Sequence, residues 1–144
     1  MKSDKNKRIY LSPPYQSGKE AELLGEVLES NWLSPVGPHL NRFETKLKDL
    51  FEYKEVIAVN SGTAALHLIL RKLGITAGDT VLVSNLTFIG GVSPIIYQGA
   101  KPVFIDSDWS DWNISPELLL EYLENHSGDL PKALIVVHLF GIPC

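Results

Sequence analysis

The chain has 144 residues, one domain's worth, with 44% hydrophobic residues, 21% charged residues and a net charge of −4. Thirteen Lys and Arg stand against seventeen Asp and Glu, so no basic face is expected for nucleic acid, and no apolar run approaches the ~20 residues of a membrane span. The single cysteine, Cys144, rules out an internal disulfide framework, and no signal-like segment follows the basic start, so a soluble protein of a reducing, cytoplasmic compartment is expected.

Residues 1–8 are polar and expected to be disordered. Ser17-Gly18-Lys19-Glu20 has the spacing of a capping box, and Leu23, Leu24, Val27 and Leu28 then form one apolar stripe. A first helix is therefore expected over Ser17–Ser30. Pro35 and Pro38 keep the linker after it from being helical throughout. Leu40, Phe43, Leu47, Leu50 and Phe51 mark a second amphipathic helix. Residues 9–55 thus read as an N-terminal helical segment and arm.

From Val56 the pattern changes. Short apolar runs at Val56–Asn60, Thr80–Ser84, Pro102–Asp106 and Ala133–Leu139 read as strands. Helices are expected between them at Thr63–Leu73, where Leu66, Ile69, Leu70 and Leu73 form an apolar stripe and Gly74 is the stop, near Ile89–Gln98, where Pro94 and the pair Gly90-Gly91 interrupt the pattern, and at Pro116–His126. The last of these opens on Ser115 at the N-cap and Pro116 at N1. Such alternation implies an α/β domain, residues 56–144, with a mostly parallel sheet and flanking helices. The chain stops at Gly141-Ile142-Pro143-Cys144, directly after an apolar run. A truncated domain, with chain missing beyond Cys144, is expected.

In open α/β sheets ligands bind at the carboxyl ends of the strands. Functional residues are expected in the loops Asn60–Ala65 and Asn85–Gly91 and in His138–Pro143. The first loop, Asn60-Ser61-Gly62-Thr63-Ala64-Ala65, carries no bulky side chain where strand would become helix. A helix N-terminus leaves N–H groups without partners and carries partial positive charge. Gly62-Thr63 can therefore be a phosphate cup. Equally, the small residues can serve tight packing of helix on sheet, with Ser61 as a plain N-cap. The turn is neither a Walker A loop nor a dinucleotide fingerprint.

Asn31-Trp32-Leu33-Ser34-Pro35-Val36-Gly37-Pro38, Phe43-Glu44, Asn60–Leu70, Thr87-Phe88, Lys101–Asp106 and His138-Leu139-Phe140-Gly141 follow one another in order. Together they resemble the pyridoxal-phosphate-dependent nucleotide-sugar aminotransferases of the DegT/DnrJ/EryC1 group, over nearly all of residues 9–141. The resemblance implies part of the large domain of the aspartate aminotransferase fold (PLP fold type I) and a homodimer. It implies pyridoxal 5′-phosphate as cofactor, an amino-acid donor such as glutamate, and a nucleotide-linked 4-keto-6-deoxy sugar as acceptor. Leu11-Ser12-Pro13-Pro14 and Asn113-Ile114 are similar to enzymes acting on UDP-linked N-acetylhexosamines.

The resemblance also assigns residues. Gly62 and Thr63 would bind the cofactor phosphate, and Phe88 would lie against the pyridine ring, whereas the residues alone suggest a core aromatic there. Asn31 and Trp32 would line the sugar pocket, or else form a helix-terminating turn packed on the core. His138 reads as a satisfied strand-end histidine, and His67 and Arg71 as a solvated helix face. No metal site is expected. Lys101 and Lys132 each precede a strand, at the end opposite the crevice. The Schiff-base lysine, the acid facing the pyridine nitrogen and a further phosphate-binding serine are all expected beyond Cys144, so no catalytic residue is expected here and the chain alone is expected to be inactive. Two alternatives stand beside the aminotransferase: a sugar dehydratase of the same fold, and a non-catalytic α/β module that binds a phosphorylated small molecule.

Overall fold

The α/β expectation is met by a three-stranded parallel sheet with flanking helices in the computed structural model, which describes residues 8–10 and 12–144. The chain divides after Ala58 into two units.

The first unit contains α1 (Glu20–Ser30) and α2 (Pro38–Phe51). The capping box forms by half. The Glu20 carboxylate accepts the Ser17 N–H (2.7 Å) and hydroxyl (2.9 Å) and the Gly18 N–H (2.9 Å), while Ser17 Oγ accepts the Lys19 N–H. Asn31 ends α1 in the left-handed conformation (φ 58°), and its N–H bonds back to Leu28 O. Glu26 links the two helices, 3.6 Å from both His39 and Arg42. The apolar stripes of both helices remain outside any buried core, with Leu28, Phe43 and Leu50 all exposed. Of the N-terminal stretch expected to be disordered, residues 1–7 lie outside the described residues, as does Leu11 of the Leu11–Pro14 motif. Arg8 is described, with its guanidinium over the Tyr10 ring.

The second unit runs α3 (Gly62–Lys72), β1 (Thr80–Ser84), a 3-10 turn at Ile89–Gly91, α4 (Ser93–Tyr97), β2 (Lys101–Ile105), α5 (Pro116–Asn125) and β3 (Ala133–Ile135). The strand order is β2-β1-β3, all parallel, with Leu82 opposite Val103 and Leu134. Alternation along β1 builds a core on each face. Val81 and Val83 pack with Leu70, Val92 and Ile95, on the side of α3 and α4. Leu82 packs with Ile105 and Ile114, backed by Leu119 and Tyr122 of α5. This is the two-sided burial that makes a parallel strand read as an unbroken apolar run. At the amino ends of the strands, Lys132 Nζ lies 2.8 Å from Asp79 Oδ1. Lys132 is thus engaged in joining the turn before β1 to the start of β3.

Three expectations need correction. Val56–Asn60 is not a strand and is not buried: it joins no ladder, and Ile57 is 79% exposed. Among the described residues the outer edges of β2 and β3 carry no further strand, and the Ala58 N–H bonds to Glu44 Oε1 at 2.8 Å. Ala133–Leu139 is strand only to Ile135, where the pairing with β1 stops; a 3-10 turn at Leu139–Gly141 follows. The α3 stripe is only partly buried. Leu70 is enclosed, but Ile69 and Leu73 face outward.

Candidate functional site

The first turn of α3 begins at Ser61, whose extended backbone and hydroxyl make a side-chain N-cap: Oγ accepts the Ala64 N–H at 3.1 Å. The Ser61 carbonyl accepts the Ala65 N–H. The Gly62 and Thr63 N–H groups of that turn are left without an intrahelical acceptor. A Cβ at Gly62 would meet nothing within 4 Å, so the space in front of this turn is open. Ser61 is the N-cap expected; it does not by itself choose between phosphate cup and tight packing.

Thr63 and Phe88, distant in sequence, are brought together at Gly90. A Cβ built on Gly90 would fall 2.6 Å from Thr63 Oγ1 and 3.1 Å from two ring carbons of Phe88. Only a residue without a side chain leaves both groups where they are. Phe88 is 80% exposed, not the core aromatic that its residue type suggested. It follows β1 by four residues and sits at the start of the 3-10 turn, so β1 carries it out of the core at the carboxyl end. Gly90 was missed as a site residue. The Gly90-Gly91 pair was a visible signal, but it pointed only to an interrupted helix.

Asn31 and Trp32 belong to the first unit. Asn31 is the C-cap of α1, and the Trp32 side chain lies 3.2–3.3 Å from where a Gly37 Cβ would sit. Asn31 thus ends the helix as expected, but Trp32 is 50% exposed, so the turn is not packed on a core. His138 Nδ1 accepts the Cys144 N–H at 3.0 Å, in keeping with a satisfied histidine. His67 departs from the solvated-face expectation: its ring meets Tyr97 of α4 edge-on, with centroids 5.5 Å apart, because α3 and α4 pack side by side.

Asn113 has a structural task. It is buried, its Nδ2 donates to Asp111 Oδ2 and Ile142 O, and its Oδ1 accepts the Leu139 N–H. These bonds tie the loop after β2 to the loop after β3. Trp112 and Phe140, both at positive φ, meet edge-to-face above that tie. Among the described residues no group of three His, Cys, Asp or Glu could hold a metal ion, and no helix is long and apolar enough to cross a membrane.

Comparison with known proteins follows the same outline. Residues 14–144 match the DegT/DnrJ/EryC1/StrS aminotransferase family. GDP-perosamine synthase of Escherichia coli O157:H7 is 40% identical over 138 residues, 96% of this chain and 37% of that protein. The X-ray structure of the aminotransferase from Psychrobacter cryohalolentis superposes with a TM-score of 0.80 at 38% identity, over 92% of this chain and 33% of that one. A GDP-4-keto-6-deoxymannose-3-dehydratase with a trapped PLP-glutamate geminal diamine gives a TM-score of 0.78 at 25% identity, over 95% of this chain and 36% of that one. The fold is thus that of part of the PLP fold type I sugar aminotransferases, and the chain spans about a third of the length of the relatives it matches.

Proposed function

The chain belongs to the DegT/DnrJ/EryC1/StrS aminotransferase family, and from that premise we propose that it is the cofactor-phosphate-binding part of a pyridoxal-phosphate-dependent sugar aminotransferase. The whole enzyme would move an amino group from an amino acid, glutamate by family habit, to C4 of a nucleotide-linked 4-keto-6-deoxy sugar. The similarity to GDP-perosamine synthase supports a nucleotide-linked sugar as acceptor. We place the enzyme in the cytoplasm, as a homodimer, with the imine-forming lysine outside these residues. Neither Lys101 at the start of β2 nor the ion-paired Lys132 is at the carboxyl end where such a lysine is needed.

One observation carries the reading: an open helix N-terminus, Gly62-Thr63, whose hydroxyl-bearing side chain shares the Gly90 cradle with an exposed aromatic ring. These residues fit the cofactor. The free N–H groups and Thr63 Oγ1 would hold the phosphate dianion, helped by the helix dipole. The Phe88 face would hold a flat heteroaromatic ring and fix its tilt. When bound, the cofactor supplies the electron sink that amino transfer requires. Asn31 and Trp32 would contact the sugar.

Equilibrium binding of pyridoxamine phosphate, compared with pyridoxamine, tests this. The phosphate should strengthen binding, and Thr63→Ala should remove about 1.5–3 kcal/mol of it, the worth of one charge-assisted hydrogen bond. Gly62→Val should block the approach of the phosphate without a clash inside the chain. Equal binding with and without the phosphate, or unchanged binding in both variants, returns the turn to a packing role. A sugar dehydratase is the second reading, supported by the dehydratase of the same fold.

A further inference from the structure

The two faces of the sheet are covered by successive connections. The chain leaves β1 toward α4, whose Ile95 packs with Val81 and Val83. It leaves β2 toward α5, whose Leu119 and Tyr122 pack on the face of Leu82 and Ile105. The loops after β1 and β2 therefore diverge, and a crevice opens between their carboxyl ends, the topological position at which α/β sheets bind ligands. A cavity of about 430 Å³ occupies that crevice, within the size range of small-molecule sites. None of its lining residues belongs to the Gly62–Thr63 cup.

Its chemistry is one-sided. Asn85 and Leu86 come from the loop after β1, and Asp106, Ser107 and Asp108 from the loop after β2; Trp109 and Trp112 complete the wall. Asp106 Oδ1 accepts the Ser107 N–H at 2.8 Å and the Asn85 amide at 3.4 Å. Asp108 Oδ1 accepts the Ser110 N–H and hydroxyl. Among the described residues the second oxygen of each carboxylate accepts nothing from the protein, and no Lys, Arg or His lines the cavity. Ser107, between the two aspartates, also lines the cavity, and its hydroxyl is buried without a hydrogen-bond partner in the protein. The hydrogen bonds from Ser110, hydroxyl first and then N–H, hold the Asp108 carboxyl below the usual range, so it is charged at neutral pH.

We propose that this crevice is a second binding site, selective for a small organic ammonium ion. Two uncompensated carboxylates beside two indole side chains attract a cation by charge and by cation–π contact. The same charges repel phosphates and carboxylates, which separates this site from the anion-binding turn of α3.

Glucosamine is a suitable probe, with glucose as its uncharged counterpart, titrated into the 144-residue chain at constant ionic strength and followed by ligand-observed NMR and tryptophan fluorescence. Glucosamine should bind saturably and glucose at least tenfold more weakly. Asp108→Asn should weaken glucosamine binding about tenfold, the loss of one charge-assisted contact. Trp109→Ala should also weaken it, and that side chain is 96% exposed, so its removal leaves the fold intact. Equal binding of glucose and glucosamine, no saturable binding of either, or unchanged affinity in both variants would overturn the proposal.

Discussion

Two glycines in the candidate site have opposite surroundings. Gly62 faces open space, whereas Gly90 sits against Thr63 Oγ1 and the Phe88 ring. Gly90 is buried, and a contact of 2.6 Å is one that real Cβ atoms essentially never show. Gly90→Val should therefore push the Thr63 hydroxyl and the Phe88 ring apart and weaken pyridoxamine phosphate binding more than tenfold. Gly91→Ala is the control, because a Cβ there would meet only Thr87 at an ordinary 3.4 Å. A Gly90 variant that binds like the unchanged chain would show that Thr63 and Phe88 do not act together. The sequence shows small residues at both places, but the contact between residues 63 and 90 is a product of how α3 and the turn after β1 pack.

At the scale of elements, the start of α1 depends on one carboxylate. The Ser17 N–H, the Glu20 N–H and the Ser17 hydroxyl lower the Glu20 pKa to about 2 from the ordinary 4.5. The group is depressed in the folded state, so its stabilisation is fully present above the unfolded value and disappears as pH falls through the folded one. The helix start should accordingly loosen between about pH 4.5 and about pH 2. An NMR titration of the Glu20 carboxyl should give its midpoint near the lower figure, and Ser17→Pro, which removes the N–H and the hydroxyl together, should move it back toward 4.5. A midpoint already at the ordinary value in the unchanged chain would remove the cap from the account. The Ser17–Glu20 spacing was legible because a capping box is local. The Val56–Asn60 run was misread because a strand is not: β-branched residues favour extended backbone, but a ladder also needs a partner strand brought alongside.

For the molecule as a whole, the second unit rests on a narrow double core. Ile95 is fully buried beside Val81 and Val83, while its chain neighbour Ile96 is 56% exposed. Ile95→Ala should cost about 2–5 kcal/mol of that unit's stability in urea unfolding, whereas Ile96→Ala should stay within about 0.5 kcal/mol. Similar effects at the two positions would contradict the placement of α4 on β1. Many other large apolar residues are outward-facing, among them Phe104, Trp112, Leu134, Val136 and Phe140 around the sheet. Large exposed apolar areas are characteristic of surfaces that meet other protein, and the relatives are about three times the length of this chain.

Ser115-Pro116 before α5, Ser61 before α3 and the apolar run of β1 illustrate what the sequence by itself determined. N-caps, the stop at Gly74 and the two-sided apolar strand are set by residues within a few positions of one another, so the helices and the central strand could be read directly. The ordered series of motifs identified the family for the same reason, since it is a property of the linear chain. Only the tertiary structure decided that β1 lies between β2 and β3, and that Phe88 leaves the core to face Thr63 across Gly90. It alone also placed Asp106 and Asp108 with two tryptophans in a crevice of divergent loops. Each of these depends on which distant segments compete for the same edge or face, and that competition is settled by packing free energy summed over the whole chain rather than by any local pattern.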